Sequence, residues 1–227
     1  MKRRRTLSSK ASSWLFILPA LTVVILLLLY PVTSSIFYSL TNKNLIKPTY
    51  RFLGLDNYIK TLTDPDFWTA FWNDLKWTFF SLLGQLIVGF TGALALNRIK
   101  KGSSIYRTIL IIPWAIPSIV LAFSWKWILN GVYGFLPNLL IKLGLCSTAP
   151  EFLTGNLAFA TLVFINIWFG SPLIMVNILS ALQTVPKDQY EAAQIDGANI
   201  FQRIFKVTIP CLVPTLIILT LLAVGNI

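Results

Sequence analysis

"LTVVILLLL", Leu21–Leu29, contains a single polar residue, Thr22, and shows no alternation between apolar and polar positions. A membrane-spanning strand alternates with a period of two, one face toward lipid and the other toward the barrel lumen. An unbroken apolar run instead fits a helix, whose backbone groups pair within the segment, as the water-free bilayer core requires. Followed outward, the run extends to about Trp14 on one side and Leu40 on the other, with Pro19 and Pro31 inside it. That is long enough to cross a hydrocarbon layer of about 30 Å.

The remaining sequence repeats this character. Of 227 residues, 56% are hydrophobic and 12% charged, with a mean hydropathy of +0.71. Further apolar blocks occupy residues 75–96, 108–129, 157–182 and 210–227, so the expected fold is an all-α polytopic membrane bundle of five transmembrane helices. Residues 1–13 form a basic N-terminus, 14–40 the first span and 41–74 a polar loop. "MKRRR" before an apolar run also suits a signal peptide. The length of the run and the lack of a clean small-x-small cleavage site favour an uncleaved anchor. In the loop, Asp64-Pro65 followed by Asp66-Phe67-Trp68 predicts a turn and then a helix with Pro65 near its first position.

The net charge of +11 does not point to nucleic acid, because the basic residues flank the spans. Lys2, Arg3, Arg4, Arg5, Lys10, Arg98, Lys100, Lys101, Arg107, Lys187, Arg203 and Lys206 fall on the side of the N-terminus. The other seven of the 19 Lys and Arg fall on the opposite side. By the positive-inside rule the N-terminus and residues 183–209 are expected in the cytoplasm, and 41–74 and 130–155 outside. There is no His, and Cys146 and Cys211 have no metal-like spacing. No metal site or catalytic constellation is expected, and the two cysteines, placed at opposite faces, are expected to be free thiols.

Within the spans, Gly84, Gly89 and Gly92 predict close packing against a neighbouring helix. Gln85 suits an interhelical hydrogen bond or a place on a polar path. Pro113 and Pro117 predict a kinked third span, either hinged or fixed.

Residues 183–209 differ from their surroundings. In "TVPKDQYEAAQIDGANIFQRIFKV", Pro186 can open a short helix, with Asp188 and Glu191 in its early turns complementing the helix dipole. Ala192 and Ala193 add little bulk, so another surface can come close. Gly197 suits a left-handed stop, and Asn199 with Gln202 a capping box for a second helix. There Phe201, Ile204 and Phe205 form one apolar stripe. Such a helix pair either inserts into a groove on a soluble partner or lies on the membrane surface, and the spacing leaves both open.

"EAAQIDGANIFQRIFKVTIPCLVP" resembles the EAA motif of permease subunits of bacterial ABC importers. The family pattern is Glu-Ala-Ala, three residues, Gly, nine residues, then Ile-x-Leu-Pro. Glu191, Ala192, Ala193, Gly197 and Pro210 match it, while Val207 and Ile209 replace Ile and Leu with other apolar residues. "FLGLDNYIKTLTDPDFWTAFWNDLKWTF" (Phe52–Phe79) and "RTILIIPWAIPSIVLAFSWKWIL" are similar to the first outer loop and third span of the maltose/glycerol-phosphate class.

The resemblance implies a multi-pass subunit of a bacterial plasma membrane importer for a sugar or related polyol. Its partners would be ABC ATPase subunits, a second and different permease subunit, an extracytoplasmic solute-binding protein and membrane lipid, with no nucleic acid. This sequence holds no GxxxxGK[ST], so ATP and Mg are expected on the partner subunits and no cofactor on this chain. The resemblance also implies that Tyr190–Phe205 seats in a cleft of the ATPase. Glu191, Ala192, Ala193, Asp196, Gly197, Ala198, Phe201 and Phe205 are then the coupling residues. For the substrate path, Asn166, Trp168, Asn177 and Gln85 offer amides and an aromatic face, although helical spacing denies Asn166, Trp168 and Asn177 a single face. Packing and interhelical hydrogen bonds remain the other reading of these residues. Family members usually have six spans, so a sixth lost by truncation is expected. A secondary transporter, or another polytopic protein without an ATPase partner, is the alternative. No Asp or Glu falls inside the expected spans to hold a coupling ion.

Overall fold

The computed structural model describes residues 9–44, 46, 49–99 and 101–225. Lys2, Arg3, Arg4, Arg5, Lys47 and Lys100 of the charge count lie outside the described residues. Among the described residues the regular elements are all helical, with one isolated bridge, Thr41 to Phe52. The chain forms two compact units, Met1–Phe71 and Trp72–Ile227.

In the first unit, α1 (Ser9–Val24) passes through a π-helical stretch, Ile25–Leu29, into α2 (Tyr30–Ser39). Pro31 has no N–H to donate, and the widened turn directly before it absorbs the lost i→i−4 bond: Tyr30 N–H bonds to Ile25 O instead. None of the apolar window within Phe16–Ser39 is buried inside the protein, so its contacts are left to lipid or to other chains. Beyond α2, Asn57 donates to Ser39 O (2.8 Å) and Thr41 O (2.9 Å), tying α3 (Asp56–Thr63) to the end of α2. The Asp64 carboxylate accepts from Asp66 N–H (2.9 Å), and Pro65 is the first residue of α4 (Pro65–Arg98), where its missing donor costs nothing.

The second unit contains the rest of α4, then α5 (Ser103–Ala115), α6 (Ser118–Ile128), α7 (Phe135–Lys142), α8 (Ala158–Leu182), α9 (Lys187–Ile195), α10 (Ile200–Arg203) and α11 (Ile209–Val224). α8 is its axis, packing on α4, α5 and α11. The α4–α8 approach is closest at glycines. A Cβ on Gly89 would lie 2.7 Å from Ile174 Cγ2, and one on Gly170 would lie 2.4 Å from Gln85 Cδ. The core below them joins Ala93 and Leu96 to Ile178, Leu179, Leu182 and Leu212. Close backbone approach gives the dispersion attraction that associates helices where lipid competes equally for apolar surface.

Two elements differ from expectation. The third span is broken rather than kinked: α5 and α6 meet at 87°. Pro117 disfavours helical backbone at the residue before it, and Ile116 (ψ 133°) and Pro117 (ψ 131°) are both extended. Residues 130–155, expected outside the membrane between two spans, are not plain loop: they contain α7, where Leu136, Leu139 and Leu140 recur at helical spacing and Pro137 lies in the tolerated first turn. Among the described residues, four helical segments are long and apolar enough to cross a membrane, and the α5–α6 pair makes a fifth if it counts as one span.

Candidate functional site

The segment joining α8 to α11 folds as a helix–turn–helix, and each sequence signal acts locally. Pro186 is the N-cap of α9, one position before its first helical residue, and Asp188 lies in the first turn. Gly197 takes φ +75° and ends α9 in a Schellman motif: Ala198 N–H reaches Ala193 O (2.9 Å) and Gly197 N–H reaches Gln194 O (3.1 Å). Asn199 and Gln202 then form the capping box, with Asn199 Oδ1 accepting from Gln202 N–H (2.8 Å) and Gln202 Oε1 accepting from Asn199 N–H (2.9 Å). α10 continues into a π-helical stretch, Ile204–Thr208, which ends two residues before Pro210, as Leu29 does before Pro31.

One face of α9 is fastened. The Tyr190 hydroxyl lies 3.1 Å from the Oγ1 of buried Thr208, and Cys211 Sγ donates to Gln189 Oε1 at 3.1 Å. Beside the Cys211–Gln189 contact a groove stays open. Ala192, Ala193, Asp196, Ala198, Lys206 and Cys211 help to line this groove of about 680 Å³, and the three alanines add little bulk to it. Glu191 is exposed beside it. Ile195, Phe201 and Phe205 are 86%, 73% and 66% exposed. The expected stripe is split: Ile204 turns inward to a second cavity, while Phe201 and Phe205 stay outside. The result is an anchored helix pair with a hollow, an acid and exposed apolar side chains, which suits a docking surface.

A second constellation lies between α4, α8 and α11. Gln85, 5% exposed, donates from Nε2 to Asn166 Oδ1 (2.7 Å) and Asn166 O (3.2 Å), and Gly170 leaves the room its side chain fills. This is the interhelical hydrogen bond expected of a span amide. The same residues also border a cavity of about 670 Å³ that includes Asn177, eleven positions along α8. Asn177 Nδ2 donates to Leu173 O, leaving its carbonyl oxygen uncommitted among the described residues. Trp168 is on another face, its ring 5.5 Å from that of Trp125. Trp114 and Ser118, which sequence reading passed over, line the cavity as well. They flank the α5–α6 break, and the only signal for them was the pair of prolines around Trp114. The volume is in the ordinary range for small-molecule sites.

The chain is similar to known membrane transport proteins. A family model described as "binding-protein-dependent transport system inner membrane component" matches residues 85–227. The trehalose/maltose transport system permease protein of Thermococcus litoralis is 36% identical over 92% of this chain and 70% of its own length. The sn-glycerol-3-phosphate transport system permease protein of Escherichia coli is 27% identical over 93% of this chain and 71% of its own. A chain in the crystal structure of a bacterial alginate ABC transporter, in complex with its pentasaccharide-bound periplasmic protein, superposes with a TM-score of 0.80. It covers 97% of this chain and 74% of its own at 24% identity, a likeness of fold.

Proposed function

The chain belongs to the family of binding-protein-dependent transport system inner membrane components, and on that premise we propose that it is the transmembrane subunit of an ATP-driven importer for a sugar or related polyol. Partner ATPase subunits bind ATP and Mg, and this chain performs no catalysis. A solute-binding protein delivers the substrate from outside, and a second, different permease subunit completes the membrane core. The N-terminus and the α9–α10 segment lie in the cytoplasm of a bacterial cell. A relative named for trehalose and maltose supports the sugar class.

The observation that carries the coupling role is the anchored α9–α10 pair: α9 lies between the membrane-length segments Gly155–Leu182 and Ile200–Val224, α10 is the first turn of the latter, and Glu191, Ile195, Phe201 and Phe205 are exposed. Phe201 and Phe205 contribute about 1.5–3 kcal/mol each if a partner covers them. The fastened face, through Tyr190 and Thr208, carries a push on α9 into the start of α11. Substrate passes the cavity lined by Gln85, Asn166 and Asn177, with Trp114 and Ser118 offering an aromatic face and a hydroxyl.

The test is co-purification followed by coupling. The wild-type chain should bring down an ATPase. Glu191→Lys reverses an interface charge and should lower substrate-stimulated ATP hydrolysis at least about tenfold. Gly197→Val should do the same by straining the left-handed position, whereas Gly197→Asn should be milder. Full stimulation in both Glu191→Lys and Gly197→Val, with normal membrane insertion, would refute the coupling role. Absence of any ATPase in the pull-down would favour a secondary transporter.

A further inference from the structure

Three membrane-length segments come together at one level. Pro65–Arg98 and Gly155–Leu182 end there, and Ile200–Val224 begins there. Between these ends is a cavity of about 340 Å³ whose lining combines Leu94, Leu182 and Ile204 with Asn97, Arg98 and Arg203. Among the described residues, no Asp or Glu lines it. It forms at the ends of apolar membrane-length segments, the part of a span that meets the lipid headgroups.

The electrostatic balance favours an anion. The C-terminal carbonyls of α4 and α8 each contribute roughly half a negative charge. Arg98 and Arg203 contribute two full positive charges, so the site stays positive by about one unit. Guanidinium forks match phosphate oxygens bidentately, and an Asn amide adds a further donor. We propose that this cavity binds a phosphate group through Arg98, Arg203 and Asn97, and that the phosphate belongs to the headgroup of an anionic phospholipid. A soluble phosphate would satisfy the same donors but gain nothing from Leu94, Leu182 and Ile204. A lipid places its glycerol and first methylenes against them, at about 0.8 kcal/mol per buried CH₂.

Tyr190 and Ile200 complete the lining. A bound headgroup therefore braces the end of α4 against α9 and α10. The binding does not depend on a coupling role for those helices, so failure of either reading is visible separately.

The experiment is native mass spectrometry of the purified protein in neutral detergent, titrated with phosphatidylglycerol. Phosphatidylcholine of the same chains and inorganic phosphate are the comparison arms. Phosphatidylglycerol should bind at least about tenfold more tightly than either, and R98Q/R203Q should weaken it by about 10- to 100-fold. R98K/R203K, which keeps the charge and loses the forks, should fall between. Lys142→Gln, far along the chain at the end of α7, should leave binding unchanged. Equal binding of phosphatidylglycerol and phosphatidylcholine, or an unchanged affinity in R98Q/R203Q, overturns the site. Displacement by inorganic phosphate at matched affinity overturns the lipid as its source.

Discussion

A methyl group at Gly89 would lie 2.7 Å from Ile174 Cγ2, 3.0 Å from its Cβ and 3.1 Å from the backbone nitrogen of Met175. The last two cannot swing away, because Ile174 Cβ is bonded to the α8 backbone and Met175 N is part of it. At Gly84 the nearest atom, 2.1 Å off, is Cδ1 at the far end of the Ile167 side chain, which can adopt another rotamer. Gly89→Ala should therefore cost about 1–3 kcal/mol and Gly84→Ala clearly less, read as a drop of roughly 3–10 °C against a smaller one in detergent thermal melts. Equal drops would mean that α4 and α8 do not meet as described. The spacing of small residues along α4 announced a packed face, but only the packing geometry ranks its glycines.

At the scale of elements, prolines set the helix breaks, and their context sets the outcome. Pro31 and Pro210 each follow a π-helical stretch and leave the helix running, because the widened turn replaces the missing bond. Pro117 follows extended Ile116 and turns the chain by 87°. Pro113→Ala with Pro117→Ala restores two backbone donors and should let α5 and α6 join. Spin labels at Ile105 and Trp127, both well exposed, would then separate from about 22 Å to about 33 Å, using 1.5 Å of rise per residue. An unchanged distance would show that packing on α8, rather than the prolines, holds the bend. The same straightening should withdraw Trp114 and Ser118 from the cavity and lower uptake.

Over the whole molecule, the apolar window of each membrane-length segment is at most 39% buried, and that of the first is 0% buried. So much uncovered apolar surface is stable only in lipid or against other subunits. Sidedness is open to a direct measurement. A membrane-impermeant maleimide should label native Cys146 from outside intact cells. The A193C variant, with Cys146→Ser and Cys211→Ser, should react only after permeabilisation. Labelling of that variant from the medium would place the α9–α10 pair on the wrong side for an ATPase.

The sequence alone determined the membrane-helical class, because an unbroken apolar run admits one backbone solution in lipid. It also determined the α9–Gly197–α10 turn, because N-caps, a glycine stop and a capping box act within a few residues of one another. The tertiary structure decided what depends on distant residues meeting. Gln85 reaches Asn166 across 81 positions, Trp114 joins Asn177 at one cavity, and Arg98 joins Arg203 at another. Local signals are written in neighbouring side chains, whereas the angle at which one helix crosses another is fixed only when both surfaces pack.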